Sequence, residues 1–245
     1  MNKSPVVITG VASGIGAQCY KLLSSTETFE PFGIDLAKSD FTDLRIDLGE
    51  EAELKRAAAV LRERFDDVAG LVNCAALHRK KKLEELSFQT WVEILRVNTV
   101  APFYLLGLIQ EQIREGGAVV NISSVHSHST TEGMAAYAAS KGAMISATKA
   151  AALELAERNI TVNCISPGAV NTPMLQAGLR ISSLSEEDQS ISALAQNIPL
   201  KCVAEPSQIA KAVEFLLSSS ELGITGTELV IDGGVLASLA SERPH

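Results

Sequence analysis

A short β-branched apolar run, Pro5-Val6-Val7-Ile8-Thr9, empties into Gly10-Val11-Ala12-Ser13-Gly14-Ile15-Gly16, and Ala17 to Ser25 then reads as a helix. Three glycines between a buried strand and a helix make a bend that no side chain obstructs. Backbone N–H groups and the helix N-terminus can then come close to a phosphate. The spacing is G-x-x-x-G-x-G, not the commoner G-x-G-x-x-G, but the physics is shared. The other reading of such a loop is a turn that packs helix on strand. Its place after the first strand and before the first helix favours phosphate binding.

The same alternation continues to the end of the chain. Strands are predicted at 5–9, 31–35, 44–47, 68–73, 117–122, 160–165 and 228–231. Helices are predicted near 14–25, 50–65, 87–96, 99–114, 136–158 and 206–218. Strands alternating with helices imply an α/β fold, a doubly wound parallel sheet of the Rossmann type. No linker, repeat or low-complexity segment divides it, so residues 1–245 are read as a single domain. Hydrophobic content of 46% with only 4% aromatic fits helices packed on a sheet through Ala, Leu, Val and Ile. Between the second and third strands, Leu36 to Asp43 is too short for a crossover helix and must cross as a loop. That leaves the adenosine end of a nucleotide site open.

Chemistry enters at Tyr137-Ala138-Ala139-Ser140-Lys141. The Ala- and Leu-rich stretch around it reads as a helix, and residues four apart share one face. A phenol and an ammonium are thereby held side by side. A free tyrosine titrates near ~10 and is a poor base at neutral pH. An adjacent cation is expected to lower that value and make Tyr137 a usable acid or base. A tyrosine packed over a lysine stem is also commonplace. What strengthens the catalytic reading is Ser124, thirteen residues upstream, and the glycine loop.

With Thr9-Gly10, Gly14-Ile15-Gly16, Asn73-Cys74-Ala75-Ala76, Asn98, Ser124, Tyr137, Lys141, Pro167-Gly168-Ala169-Val170-Asn171-Thr172 and Val230-Ile231-Asp232-Gly233-Gly234 in this order, the chain resembles the compact short-chain dehydrogenase/reductases over essentially its whole length. One departure is Ala76, where the family usually has Gly. The resemblance implies that Tyr137 is the acid or base and that Lys141 tunes it and binds the nicotinamide ribose. It implies that Ser124 holds the substrate oxygen and that Asn98 keeps a water in a proton relay. Asn98 can equally be read as a helix cap or kink residue. The cofactor is expected against Gly10, Ser13, Gly14, Ile15, Gly16, Asp47, Leu48, Asn73, Ala75, Tyr137, Lys141, Pro167, Gly168, Val170 and Thr172. Asp35 ends the second strand, nineteen residues after Gly16. A carboxylate there accepts from both ribose hydroxyls and repels a 2′-phosphate, so NAD is expected rather than NADP.

The substrate is less legible. Residues 174–200 are expected to form a mobile flap with a loosely ordered tip at Ser182 to Asp188. His78, Arg79, Ser124, His126 and Met174 are candidate substrate residues, with His128 nearby. The basic run from His78 to Lys82 reads either as a solvated face or as a clamp for an anionic substrate. A small cyclic alcohol, dihydrodiol or polyol is the expected substrate class. A 3-oxoacyl-thioester reductase and a catalytically silent NAD-binding sensor are the alternatives.

Net charge of −8 argues against nucleic acid and anionic membranes as partners. No apolar run reaches membrane-spanning length and no signal-peptide pattern opens the chain, so a cytoplasmic protein is expected. Cys19, Cys74, Cys164 and Cys202 are scattered and read as reduced, mostly buried thiols, with no metal site. Apolar residues on two sides of the helices at 99–114 and 136–158 imply burial on two sides. Related enzymes pair these helices across two-fold axes, so a homotetramer is expected, with a dimer as the lesser assembly.

Overall fold

The computed structural model describes residues 3–180 and 190–238, with nothing stated of the Arg180 side chain. The strands are β1 (Ser4–Thr9), β2 (Phe29–Asp35), β3 (Leu44–Arg45), β4 (Val68–Asn73), β5 (Ile113–Ile122), β6 (Thr161–Pro167) and β7 (Glu228–Ile231). They form one parallel sheet in the order β3-β2-β1-β4-β5-β6-β7. The order reverses between β1 and β4, and ligands of such sheets collect at the carboxyl ends of the strands beside that point.

Strand periodicity divides the core into two layers. Val7 faces one way with Ile34, Val119 and Val162, and they pack against Leu54, Leu61, Leu105, Ile109 and Leu155. Val6 and Ile8 face the other way with Val72, Val120 and Ile165, and meet Cys19, Leu23, Ile209, Val213 and Leu216. The helices are therefore α1 (Gly14–Ser25) and α8 (Pro206–Leu217) on one face, with α2 (Glu51–Arg64), α4 (Ala101–Ile109) and α5 (Ala135–Leu155) on the other. Local signals agree with these bounds. Helix α2 opens on Glu51 and Glu53 and ends on Arg62 and Arg64, each sign opposing the helix dipole. Helix α8 opens on Pro206, inside a capping box of Glu205 and Gln208.

The crossing from β2 to β3 is a loop, as its length requires. It lies back on β2, where a Cβ at Gly33 would stand 1.9 Å from the Phe41 carbonyl oxygen. Asp43 accepts from the Gly33 N–H at 2.8 Å. Phe41 turns outward onto Tyr20 of α1, ring centroids 5.3 Å apart.

Two expectations are corrected. Residues 110–114 are not helical to the end: a 3₁₀ turn at Gln110–Gln112 runs straight into β5. Within the expected flap, α6 (Pro173–Arg180) and α7 (Ile191–Gln196) are helical, while its expected tip at 182–188 lies outside the described residues. Finally, α3 (Phe88–Leu95), a π turn at Arg96–Val100, α4 and the following turn run on as one helical stretch, Phe88–Gln112. It is long enough, and over its most apolar 18 residues apolar enough at a mean hydropathy of 1.4, to cross a bilayer by length and composition. Its buried side and the interior Asn98 are those of a core helix.

Candidate active site

A cleft of about 960 Å³ opens at the carboxyl edge of the sheet. Its walls include Gly10, Ser13, Gly14, Ile15, Gly16, Asp35, Asp47, Leu48, Ala75, Tyr137, Lys141, Pro167, Gly168, Val170 and Thr172, as expected from sequence. Its volume is at the upper end of ligand pockets, enough for an extended cofactor with a small substrate beside it.

The glycine loop fits a dinucleotide. A Cβ at Gly16 would stand 2.1 Å from the Gly10 carbonyl oxygen, and one at Gly10 would stand 2.6 Å from the Ala75 nitrogen. Gly10 and Gly14 have φ of 76° and 58°, conformations that favour glycine. The loop is thus held flat against the end of β4, with the first turn of α1 facing the cleft. Ser13 makes no side-chain cap, which leaves those N–H groups open to an anion. Asp35 secures the other side: one oxygen accepts from Ala12 N–H at 2.9 Å and the other from Ala37 N–H at 2.8 Å. Each oxygen keeps lone-pair capacity for a ribose hydroxyl. From across the cleft Thr172 reaches within 3.2 Å of a Cβ at Gly14, while its hydroxyl caps α6 through Leu175 N–H.

Asn73 is a correction. Its side chain turns away from the cleft and donates to Asn121 Oδ1 at 2.8 Å, and Asn121 donates to Thr148 at 3.0 Å. Strand alternation sends Asn73 inward, and this buried polar chain ties β4 and β5 to α5. Cys74, its neighbour, faces the cleft instead. Among the thiols, Cys19 and Cys164 are buried, Cys74 is half-buried and Cys202 is exposed.

Asn98 sits in the π turn, fully buried. It donates to the Leu77 carbonyl at 2.9 Å and to Ser140 Oγ at 3.0 Å, and accepts from Leu77 N–H at 2.6 Å. Its side chain is occupied in clamping the loop after β4 onto α5. The kink reading of Asn98 therefore holds, and any role in a proton relay is left to its backbone.

Around Tyr137 the electrostatics differ from expectation. Lys141 is 1% exposed, its Nζ 5.7 Å from the Tyr137 ring centroid, and it donates to the Ile122 carbonyl at 2.7 Å. Burial holds the Lys141 ammonium down at about 8. Burial likewise pushes the Tyr137 phenol up to about 12, against a hydrogen bond with Ser124 that lowers it. The cation does not bring the phenol down: loss of water outweighs a charge that is itself weakened. Within this chain Ser124 is the partner that favours the ionised form of Tyr137, the form that can take a proton. Ser124 in turn is fixed at the head of a 3₁₀ turn, where Oγ accepts from His126 N–H at 3.2 Å.

Two imidazoles flank the phenol edge-on, His78 at 5.5 Å and His126 at 5.9 Å between centroids. His128 is not among them, because it turns to Glu228 at 2.8 Å. Arg79 and Met174 line the mouth. Sequence reasoning missed Leu77, Met134, Leu175, Leu179 and Leu194, which give the substrate end its apolar walls. No motif marks them, since they arrive from four separate segments.

A family model described as enoyl-(acyl carrier protein) reductase matches residues 10–236. The chain is a short-chain dehydrogenase/reductase. This short-chain dehydrogenase/reductase is 31% identical over 253 residues to cyclopentanol dehydrogenase of Comamonas sp. (strain NCIMB 9872), covering 97% of this chain and 99% of the relative. It is 32% identical over 243 residues to 2,5-dichloro-2,5-cyclohexadiene-1,4-diol dehydrogenase of Sphingobium indicum, covering 93% and 94%. A solved structure of a 4-hydroxyisoleucine dehydrogenase mutant with NADH and succinate superposes with a TM-score of 0.83 at 30% identity, covering 96% and 99%. The family's nicotinamide cofactor suits the flat glycine loop and the paired Asp35 contacts described above.

Proposed function

We propose that this chain is an NAD-dependent dehydrogenase that interconverts a secondary alcohol and a ketone on a small ring, a cyclic alcohol, dihydrodiol or related polyol. The observation that carries this is the grouping of Ser124, Tyr137 and Lys141 at one end of a cleft whose other end is closed by Asp35. The cofactor, when bound, supplies the hydride acceptor and a positive charge. Tyr137 takes the hydroxyl proton, Ser124 steadies the oxygen as charge develops on it, and Lys141 holds the ribose side. Asp35 favours NAD, because a 2′-phosphate would meet a carboxylate already fixed by two N–H groups. The cyclic-alcohol class draws support from the cyclopentanol and cyclohexadiene-diol relatives and from the apolar walls. The enzyme works in the cytoplasm as a homotetramer in this reading.

A second reading, reduction of the keto group of a 3-oxoacyl thioester, draws on the acyl-carrier substrate in the description of the matching family model, which itself names an enoyl reductase. The test is absorbance of the reduced nicotinamide with NAD or NADP across cyclic alcohols, diols, sugars, hydroxy acids and a 3-oxoacyl thioester. Oxidation of ring alcohols with NAD is the expected result. Thioester reduction with NADP and no alcohol turnover would support the second reading. A protein that binds NAD yet turns over nothing would be a sensor.

A further inference from the structure

The substrate end of the cleft holds two imidazoles that the proton transfer at Tyr137 does not use. His78 Nε2 lies 3.1 Å from the thioether sulfur of Met134. A thioether can only accept, so Nε2 carries the proton and Nδ1 is a bare acceptor without a partner among the described residues. His126 Nδ1 pairs with Thr130 Oγ1 at 2.9 Å, which leaves its Nε2 without a partner among the described residues. Both rings line the cleft, on either side of the phenol. Leu77, Val125, Met134, Leu175, Leu179 and Leu194 give this end apolar walls, with Thr131 also on the lining.

A simple ring alcohol has one hydroxyl, and Ser124 and Tyr137 satisfy it. Two more open nitrogens beside that pair, in apolar surroundings, call for a second polar group on the substrate. A bare acceptor binds a hydroxyl proton and repels a carboxylate. The cations that could recognise a carboxylate, Arg79 and Lys80, are exposed at the mouth, with Arg79 turned to the His78 carbonyl at 3.3 Å. Burial holds both imidazoles below their ordinary value, helped at His78 by Lys80 and Arg79 and at His126 by His78, so both rings are neutral at pH 7.

We infer that His78 and His126 select a vicinal diol on a hydrocarbon ring, His78 Nδ1 accepting from the hydroxyl next to the one that Tyr137 deprotonates. This rests on the alcohol dehydrogenase reading above and narrows its substrate class.

The test compares kcat/KM of the full-length enzyme with NAD on cyclohexanol, cis- and trans-cyclohexane-1,2-diol, and 2-hydroxycyclohexanecarboxylate. At least one diol should exceed cyclohexanol by about tenfold, the worth of one well-placed hydrogen bond. His78→Leu should cut that ratio by about the same factor, and His78→Gln, which keeps a carbonyl acceptor, should restore part of it. NADH titration by fluorescence shows whether each variant keeps its fold, and the wild-type ratio decides the matter if one does not. A wild-type ratio near one, a preference for the hydroxy acid, or a ratio untouched by His78→Leu in a variant that binds NADH would each overturn the inference. Absence of turnover on all four alcohols would instead sink the dehydrogenase reading.

Discussion

At the residue scale Asn98, Ser124, Tyr137 and Lys141 divide their labour unevenly. Tyr137 is the proton carrier, and Tyr137→Phe keeps its shape while removing the hydroxyl. Turnover should fall by about 10²–10⁴-fold with NAD affinity nearly intact, as steady-state kinetics and a binding titration would measure. More than a tenth of wild-type turnover in the Phe variant contradicts the mechanism. Lys141 makes a separate prediction about stability. Its folded pKa of about 8 lies below the ordinary 10.5, so the unfolded chain binds more protons between those values and stability rises with pH across the window. The burden at neutral pH is about 3 kcal/mol. Lys141→Met loses the bond to the Ile122 carbonyl but also that burden. Melting curves should therefore place the variant relatively higher at pH 7 than at pH 10. Above pH 10 Tyr137 acts in the opposite sense, its folded pKa being raised to about 12. A gap that moves in favour of Met as pH rises from 7 to 10 refutes the account. Asp35 governs cofactor choice. Asp35→Ser should raise the KM for NAD by about tenfold and improve NADP relative to it, with little change in kcat. Adding an Arg at Leu36, which is 57% exposed on the cleft, should strengthen the shift. A wild type that uses NADP as well as NAD removes the argument.

At the element scale the site depends on close backbone approaches. The loop from β1 to α1 lies on the end of β4 because Gly10 has no Cβ, and α1 starts close against that loop because Gly16 has none. Gly16→Ala would drive a methyl into a carbonyl oxygen 2.1 Å away, and backbone cannot step aside as a side chain can. The cost is at least ~1–3 kcal/mol of overpacking. We expect a lower Tm and a weaker NAD affinity together, read by thermal melting with and without NAD. Gly107→Ala is the control, since a Cβ there meets nothing within 4 Å. The two variants behaving alike would show that the loop is not so constrained. The π turn at Asn98 belongs to the same class of device. It turns one side chain inward to bind the loop after β4, which carries Leu77 and His78 into the cleft.

At the scale of the whole molecule, the apolar surplus on the long helices is smaller than the sequence suggests. Leu105, Leu106, Ile109 and Leu155 are absorbed by the core of the single chain. Val100 remains 54% exposed and Leu153 80% exposed, with Phe103, Leu108 and Ala151 only partly covered. This residue of apolar surface on α4 and α5 is where the proposed tetramer would bury itself. Leu153→Glu should then weaken association across this face, and light scattering at micromolar concentration should move from a tetramer mass toward a dimer. A wild-type monomer under the same conditions contradicts the assembly. Tyr137 and Lys141 face the sheet side of the same helix, so the chemical reading does not stand or fall with it.

The sequence by itself determined the order of strands and helices, because period-2 and period-3.6 patterning are local properties of the chain. Six helices and seven strands fall close to their expected places, and the missing crossover helix before Leu44 was readable from loop length alone. The glycine loop and the spacing of Ser124, Tyr137 and Lys141 were equally local. Tertiary structure decided which way side chains at strand ends turn, which is why Asn73 left the cleft and Cys74 entered it. It decided that His78 and His126 meet at Tyr137 while His128 leaves for Glu228, a choice between residues two apart that no spacing encodes. It also set the protonation of the site. The four-residue spacing placed Lys141 beside Tyr137, but only burial, a property of the packed whole, fixed one near 8 and the other near 12.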